Sequence, residues 1–427
     1  MIYPKILVIS NNCFSKSDSN GRTLGNFFKN WDKNSLAQFF INKASPDYDV
    51  CEKYFCVTDS QALRVLLGKK PNGTVEDRKE NAAPLGDTAS AKGHKRNALT
   101  MMLRNFVWNT NAWKSSGFDK WVEDFAPEAV LLQAGDSAFM LRLARKTALK
   151  YGIPLFIYNS EGYYFKNFDY FKSKGIYHLL YPLFYRNFRR EFKKTQKTAA
   201  YTFYICDELK NAYDKEFGGK SISLYTATFL KPFEMSPQNN GFVASYLGNL
   251  GVGRHEGLIE IANTLQKISP DYFLDVYGKI PNDTVKTAFD NCVGIRYHGV
   301  IPYDEVIRVM ENSDLLVHTE SFSEFYKEDL KFAFSTKIAD CLAGGRCFLL
   351  YSPDNMASFK YLNGSRLAYT VSSKGELENT LKNIIDSSEN RQRYISNAIK
   401  AADEKHNSEK NGKIFSDIIA ETVGLRN

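Results

Sequence analysis

Short apolar runs recur along this chain. Each is followed by a polar or glycine-bearing loop and then by an amphipathic stretch. The first, KILVIS (Lys5 to Ser10), is brief and rich in β-branched residues, the pattern of a parallel strand buried on both faces. The loop NNCFSKSDSNGRT leads from it into a helix predicted from Leu24. YFCVTD (Tyr54 to Asp59) reads as a second strand. AVLLQAG (Ala129 to Gly135), a helix over Ala138 to Tyr151 and the strand PLFIYNSEG (Pro154 to Gly162) repeat the alternation, and TFYICDELKNAYDKEF adds another strand-to-helix step. Strands alternating with helices predict parallel βαβ units.

The rhythm breaks twice. Lys69 to Asn97 is polar, punctuated by Gly and Pro and without periodicity, which predicts a flexible surface insertion. Around Pro232 to Gly241 the polarity shifts again, and the alternation restarts with FVASYLG, YFLDVYG, IRYHGV, DLLVHTE and CFLLYSP, with helices beginning near Leu258, Asp304 and Ser335. At 427 residues the chain exceeds the roughly 250–300 at which a single core stops growing. The expected organisation is therefore an α/β fold of two Rossmann-like, doubly wound domains facing a cleft. Residues 1–225 form the first domain and 241–404 the second. The helically spaced tail, 405–427, is expected to pack back on the first. Two such domains place a ligand at the carboxyl ends of their strands.

Composition narrows the partners. Hydrophobic residues make up 43% and charged residues 24%, a globular balance. The formal charge of +8 is mild for this length, and no RNP-type or helix-turn-helix pattern accompanies it, so nucleic acid is not expected. Phosphate suits the excess charge better, as a nucleotide or an anionic membrane surface. The seven cysteines form no C-x-x-C pair and several sit in apolar runs, which predicts buried reduced thiols. The N-terminal apolar run has strand length, and no stretch reaches the roughly 18 apolar residues of a membrane span. A cytoplasmic protein is expected. Residues 163–194 mix aromatics with Lys and Arg and are a candidate for peripheral contact with the inner face of a membrane; core aromatics with a solvated basic side explain the same pattern.

The strongest chemical signal is YLGNLGVGRHEGLIEIANTL (Tyr246 to Leu265). A strand ends, glycines 248, 251, 253 and 257 follow, and a helix starts. Glycines let a backbone approach a phosphate, and a helix N-terminus offers N–H groups and a positive dipole. Arg254 stands at that terminus, suited to a diphosphate. A tight turn built for packing is the plainer alternative. An NAD site would want an acidic residue ending the next strand, but YFLDVYG ends in Tyr277 and Gly278. The second signal is FSTKIADCLAGGRCFLLYSP (Phe334 to Pro353), where Lys337 and Asp340 share one helix face. Lys337 suits a phosphate and Asp340 suits ribose hydroxyls; an exposed ion pair is the alternative.

Together these motifs resemble the nucleotide-binding half of GT-B-fold glycosyltransferases, nearest to the large retaining family of bacterial capsule and lipopolysaccharide enzymes. The order of glycine loop, YHGVIPYDEVIRVMENSDLLVHTE and STKIADCLAGG helix is similar. The resemblance implies donor-diphosphate contacts from Gly251, Gly253, Arg254 and Lys337, ribose contacts from Asp340, and a base held near Gly299 and Val300. In the first half, SNGRT resembles the loop that reaches over donor phosphates, which implies Gly21 and Thr23. At the position after LFIYNSEG where the family often has a histidine, this chain has Glu161.

The sequence departs from the family where the first of its two glutamates, eight positions apart, would fall on Phe332; Glu320 or Glu324 from the preceding loop is expected to substitute. Asn249 stands where an arginine often follows the first glycine. Asp136, Glu161 and Glu320 are the candidate catalytic carboxylates. Asp47-Tyr48-Asp49, with no strand before it, reads as a turn and not as a metal-binding Asp-x-Asp, so neither metal nor cofactor is expected beyond a nucleoside-diphosphate-sugar donor. The implied activity is metal-independent transfer of a sugar to a saccharide or lipid-linked acceptor in surface polysaccharide biosynthesis. A sugar-nucleotide epimerase of the same architecture and a catalytically silent subunit of a polysaccharide assembly complex are the alternatives.

Overall fold

The computed structural model describes residues 3–16, 19–70, 74–76, 96–234 and 241–424. The chain divides into two compact units, residues 1–225 with 409–427, and residues 226–408.

The first unit is built on a sheet of eight strands: β1 (Ile6–Ile9), β2 (Leu36–Phe40), β3 (Lys53–Cys56), β4 (Thr74–Glu76), β5 (Ala129–Ala134), β6 (Leu155–Asn159), β7 (Tyr201–Tyr204) and β8 (Ser221–Ser223). Their order is β4-β3-β2-β1-β5-β6-β7-β8, parallel except for β4, which pairs antiparallel with β3 at the edge. Ile6, Val8, Leu131 and Phe156 from the central strands pack with Phe27, Phe28 and Trp31. Phe415 and Ile419, from the C-terminal helix Ser408–Val423, complete that core; the ring of Phe415 stacks on Phe27 with centroids 5.2 Å apart.

The second unit carries β9 (Ala244–Leu247), β10 (Leu274–Tyr277), β11 (Ile295–Gly299), β12 (Leu315–Thr319), β13 (Cys347–Tyr351) and β14 (Tyr369–Val371), all parallel, in the order β11-β10-β9-β12-β13-β14. The chain runs outward from β9 in one direction and then, from β12, in the other. This is the doubly wound order with its switch point between β9 and β12. In the first unit the corresponding switch lies between β1 and β5.

Several sequence expectations need correction. The helix expected from Leu24 begins at Ser19, so Gly21 and Thr23 lie in its first turns and not in a loop. A Cβ on Gly21 would stand 2.3 Å from the carbonyl oxygen of Cys13, so glycine is needed there for close packing. The helix expected near Leu258 begins at Arg254, because the glycines that obscured its periodicity serve the turn and a close approach to β12. The helices expected near Asp304 and Ser335 are present, beginning at Tyr303 and Lys337. The stretch Lys69 to Asn97 includes β4, and Asn97 caps the helix Ala98–Asn109 through a reciprocal pair with Thr100; residues 71–73 and 77–95 of that stretch lie outside the described residues. Strand β2 was not expected. Its centre is polar Gln38, fully buried because its side chain accepts from the Phe14 amide (2.8 Å) and donates to Ser10 Oγ (2.8 Å). Asp47 to Asp49 is a turn, with the Asp47 carboxylate accepting from the Asp49 amide at 3.0 Å. All seven cysteines are buried free thiols.

Candidate active site

At the switch point of the second unit, β9 runs into Gly248–Gly253 and the helix Arg254–Ile268. Val252 and Gly253 both adopt left-handed backbone, with φ of +54° and +77°. For a β-branched residue that conformation is strained, and such strain clusters at functional turns. The turn delivers Arg254 to the helix start, and no side chain caps that start. The Arg254 and Glu256 amides bond back weakly to the Gly251 and Gly253 carbonyls, both at 3.4 Å, and the positive end of the helix dipole faces the turn.

Across the switch point, β12 ends in His318-Thr319, and Glu320 follows directly. His318 and Glu320 are two residues apart and therefore project to the same side. Arg254 donates from Nε to Glu320 Oε2 (3.0 Å) and from Nη2 to Oε1 (2.9 Å), a two-pronged ion pair between almost fully buried side chains. His318 Nε2 meets Glu320 Oε1 at 3.0 Å. Burial pushes the Glu320 carboxyl up, but the Arg254 charge and the hydrogen bonds from His318 and Arg254 outweigh it and bring the pKa to about 2. Burial lowers the pKa of His318 despite that partner, so its imidazole is neutral and donates through Nε2. Glu320 is a permanent anion at neutral pH, suited to orienting cations and unsuited to moving protons. Tyr246 Oη donates to the Asn249 carbonyl at 2.7 Å, tying down the start of the glycine turn, and its ring lies parallel to His318.

Lys337 opens the helix Lys337–Ala343 and extends toward the same turn: a Cβ on Gly248 would lie 3.1 Å from its Cε. Asp340 sits one turn further along that helix, half-buried. Beyond β10, the Gly278 amide donates to the Gly299 carbonyl at 2.8 Å, and Gly299 has φ of +78°. This linkage presents Val300 to solvent beside the strand ends.

In the first unit, β5 leads to Gly135 and Asp136. The Asp136 carboxylate is buried, paired with Arg96 and accepting from Tyr170 Oη at 3.0 Å. Lys166, also buried, lies over the rings of Tyr163 and Tyr170, 4.6 and 5.3 Å from their centroids. Glu161 follows β6, and its carbonyl accepts from Tyr213 Oη at 3.4 Å. Among the described residues no cluster of three or more His, Cys, Asp or Glu is arranged to hold a metal ion.

No protein-family model matches the sequence, and no curated protein matches it. Solved structures do match in three dimensions. HepE from Anabaena, in complex with UDP, is 11% identical with a TM-score of 0.63, over 98% of this chain and 100% of that one. A glycosyltransferase from Rickettsia africae gives the same identity and score over the full length of both chains. The lipopolysaccharide outer core galactosyltransferase WaaB is 13% identical, with a TM-score of 0.60 over 97% of this chain and 99% of that one.

The fold is GT-B.

Within this GT-B chain, Gly251, Gly253, Arg254, Glu320 and Lys337 converge on one switch point, with Gly299 and Val300 ending a nearby strand. Asp136 belongs to a separate cluster with Arg96 and Tyr170, and Gly21 and Thr23 are packed inside a helix. Sequence reasoning missed His318, Tyr246, Arg96 and Tyr170. His318 was accessible from the alternation in VHTE, which puts it on the side of Glu320. The partners of Asp136, 34 and 40 residues distant, left no such trace.

Proposed function

We propose that this protein is a metal-independent glycosyltransferase. It moves a sugar from a nucleoside-diphosphate donor to a saccharide or lipid-linked saccharide acceptor, in surface polysaccharide biosynthesis. The observation that carries the reading is the pairing of Arg254 with Glu320 across the switch point, beneath an uncapped helix start. Glu320 occupies two of the five guanidinium N–H groups, holding the rest in a fixed direction. The donor diphosphate binds against the positive end of the helix after Gly251 and Gly253, the outer edge of Arg254 and the Lys337 ammonium. Asp340 accepts from the ribose, and Gly299 and Val300 border the base. HepE has structures with UDP, with UDP and glucose, and with UDP-glucose, which favours a uridine donor here.

Departure of the nucleoside diphosphate breaks the bond from the anomeric carbon to phosphate and builds negative charge on the leaving oxygen, where these donors act. The acceptor hydroxyl attacks from the face the diphosphate leaves, its oxygen bonds to the anomeric carbon, and its proton passes to a phosphate oxygen, with retention. Asp136 and Glu161 are the proposed acceptor-side carboxylates of the first unit, and Glu320 acts through Arg254.

The test is thermal stabilisation by UDP, GDP, ADP and CMP, with and without EDTA, on wild type and Lys337→Ala, followed by product analysis. A ligand at one hundred times its Kd stabilises by roughly 2.7 kcal/mol. One nucleoside diphosphate that stabilises the wild type, ignores EDTA and acts much less on the variant supports the reading. No shift with any nucleotide sinks it. An isomerised donor formed without acceptor would assign the site to an epimerase instead.

A further inference from the structure

The helix Ile176–Thr198 buries one side through Tyr181, Phe184, Tyr185, Phe188 and Phe192. Its opposite side does not follow the usual rule that a surface helix turns polar groups to water. Ile176, Leu179 and Leu183, spaced three and four apart on one stripe, are all exposed, Leu179 at 71%. Further along the same side the exposed residues become Arg186, Arg190, Lys193, Lys194 and Lys197. One outward face is thus apolar over its first two turns and basic over its last three. The helix Ala98–Asn109, which packs against it, exposes a second stripe at the same spacing: Leu99, Leu103 and Phe106, the last at 64%. Six large apolar side chains on two adjoining helices exceed the scattered singletons of an ordinary surface.

We infer that this two-helix face docks on an anionic lipid bilayer. The apolar turns enter the boundary between headgroups and acyl chains, and the basic turns lie over the headgroup phosphates. Tyr177, 42% exposed beside the apolar stripe, has the amphipathic ring that favours this depth. The charge pattern selects a membrane over an apolar protein groove: Arg190 and Lys194 share the buried Glu191 at 3.6 and 3.9 Å, while Arg186, Lys193 and Lys197 along the same face need an extended negative surface opposite them. No helix among the described residues is long and apolar enough to cross a membrane, so attachment here lies in the plane of the interface. The inference does not depend on the chemistry of the switch-point site.

The experiment is flotation of the whole protein with phosphatidylcholine vesicles, with and without phosphatidylglycerol, in 0.1 M and 1 M salt. Wild type is expected to float with the phosphatidylglycerol vesicles at 0.1 M, and to be released at 1 M, where the screening length falls from about 10 to about 3 Å. Arg186→Ala/Lys193→Ala/Lys197→Ala is expected to weaken partitioning by about a hundredfold, each cation contributing about fivefold. Leu179→Glu/Leu183→Glu is expected to abolish it. Both variants change only exposed positions, and an unchanged melting temperature verifies their folding. Failure of wild type to float with any vesicle overturns the inference, as does flotation unaffected by either variant. A wild-type dimer in sedimentation that Leu179→Glu/Leu183→Glu dissociates, without vesicle binding, assigns the face to self-association instead.

Discussion

Gly257 lies so close to Thr319 that a Cβ on the glycine would stand 2.2 Å from the threonine Oγ1. Each residue neighbours the Arg254–Glu320 ion pair along its own element: Gly257 is one turn after Arg254, and Thr319 immediately precedes Glu320. The absent side chain therefore sets the separation at which guanidinium and carboxylate meet.

Gly257→Ala forces the helix Arg254–Ile268 away from β12. Overpacking of this kind costs typically 1–3 kcal/mol, and the nucleotide-dependent stabilisation is expected to fall with it. Combining it with Thr319→Ala removes the clashing oxygen and restores part of both losses. Denaturant unfolding of the two single variants and the double variant measures the coupling.

Removing one member of the buried pair leaves the other uncompensated. Glu320→Ala and Arg254→Ala are each expected to destabilise by about 3–5 kcal/mol, while Arg254→Met/Glu320→Leu costs less than either. The double variant is expected to remain folded and lose nucleotide binding, which calorimetric titration with UDP distinguishes from simple unfolding. Because the native Glu320 pKa is about 2, below its unfolded value, its contribution is present above pH 4.5 and disappears as pH falls toward 2.

His406 is enclosed in the second unit, with Nδ1 donating to the Thr226 carbonyl (2.7 Å) and Nε2 accepting from Tyr361 Oη (2.9 Å). Burial lowers its pKa to about 4. The unfolded imidazole takes up a proton from about pH 6.5 downward while the native one does not, so stability is retained above that pH and declines below it until about pH 4. His406 alone is expected to cost about 2 kcal/mol between pH 7 and 5, and His318 acts in the same direction. Melting temperatures of wild type and His406→Gln across that range provide the comparison: the variant starts less stable and shows a shallower decline.

Val252→Gly removes the left-handed strain of a β-branched residue. With the greater unfolded freedom of glycine set against it, the change is expected to stabilise the second unit by about 0.5–1 kcal/mol. Nucleotide binding is expected to weaken, because a looser turn no longer presents the first helical amides in one geometry. A denaturant midpoint and a UDP titration on the same sample check both parts.

The fold was legible where strands are wholly or mostly apolar, as at β1, β13, β5 and β12, and where glycine marks the end of β9. Elsewhere long-range hydrogen bonds override the local pattern. Gln38 makes β2 look amphipathic only because its partners, Ser10 and the Phe14 amide, lie some 28 and 24 residues away. Gly21 resembles a phosphate-loop glycine and is instead a packing glycine, since chemistry and close contact ask for the same missing side chain. At the site, the sequence revealed residue types suited to a diphosphate. It did not reveal that Arg254 is committed to Glu320, because a pairing across 66 residues depends on the order in which strands lie in the sheet.

The first unit is discontinuous: its chain leaves at Tyr225 and returns at Glu409, bringing Phe415 and Ile419 to the core around Phe27 and Trp31. On the ribosome, then, this domain is begun before the second unit and sealed after it. Residues 226–408 emerge as an unbroken segment and can fold as soon as they clear the exit tunnel. The earlier domain must wait, with an aromatic pocket open, until the helix Ser408–Val423 has been synthesised. Its nascent form is consequently the natural client of a chaperone.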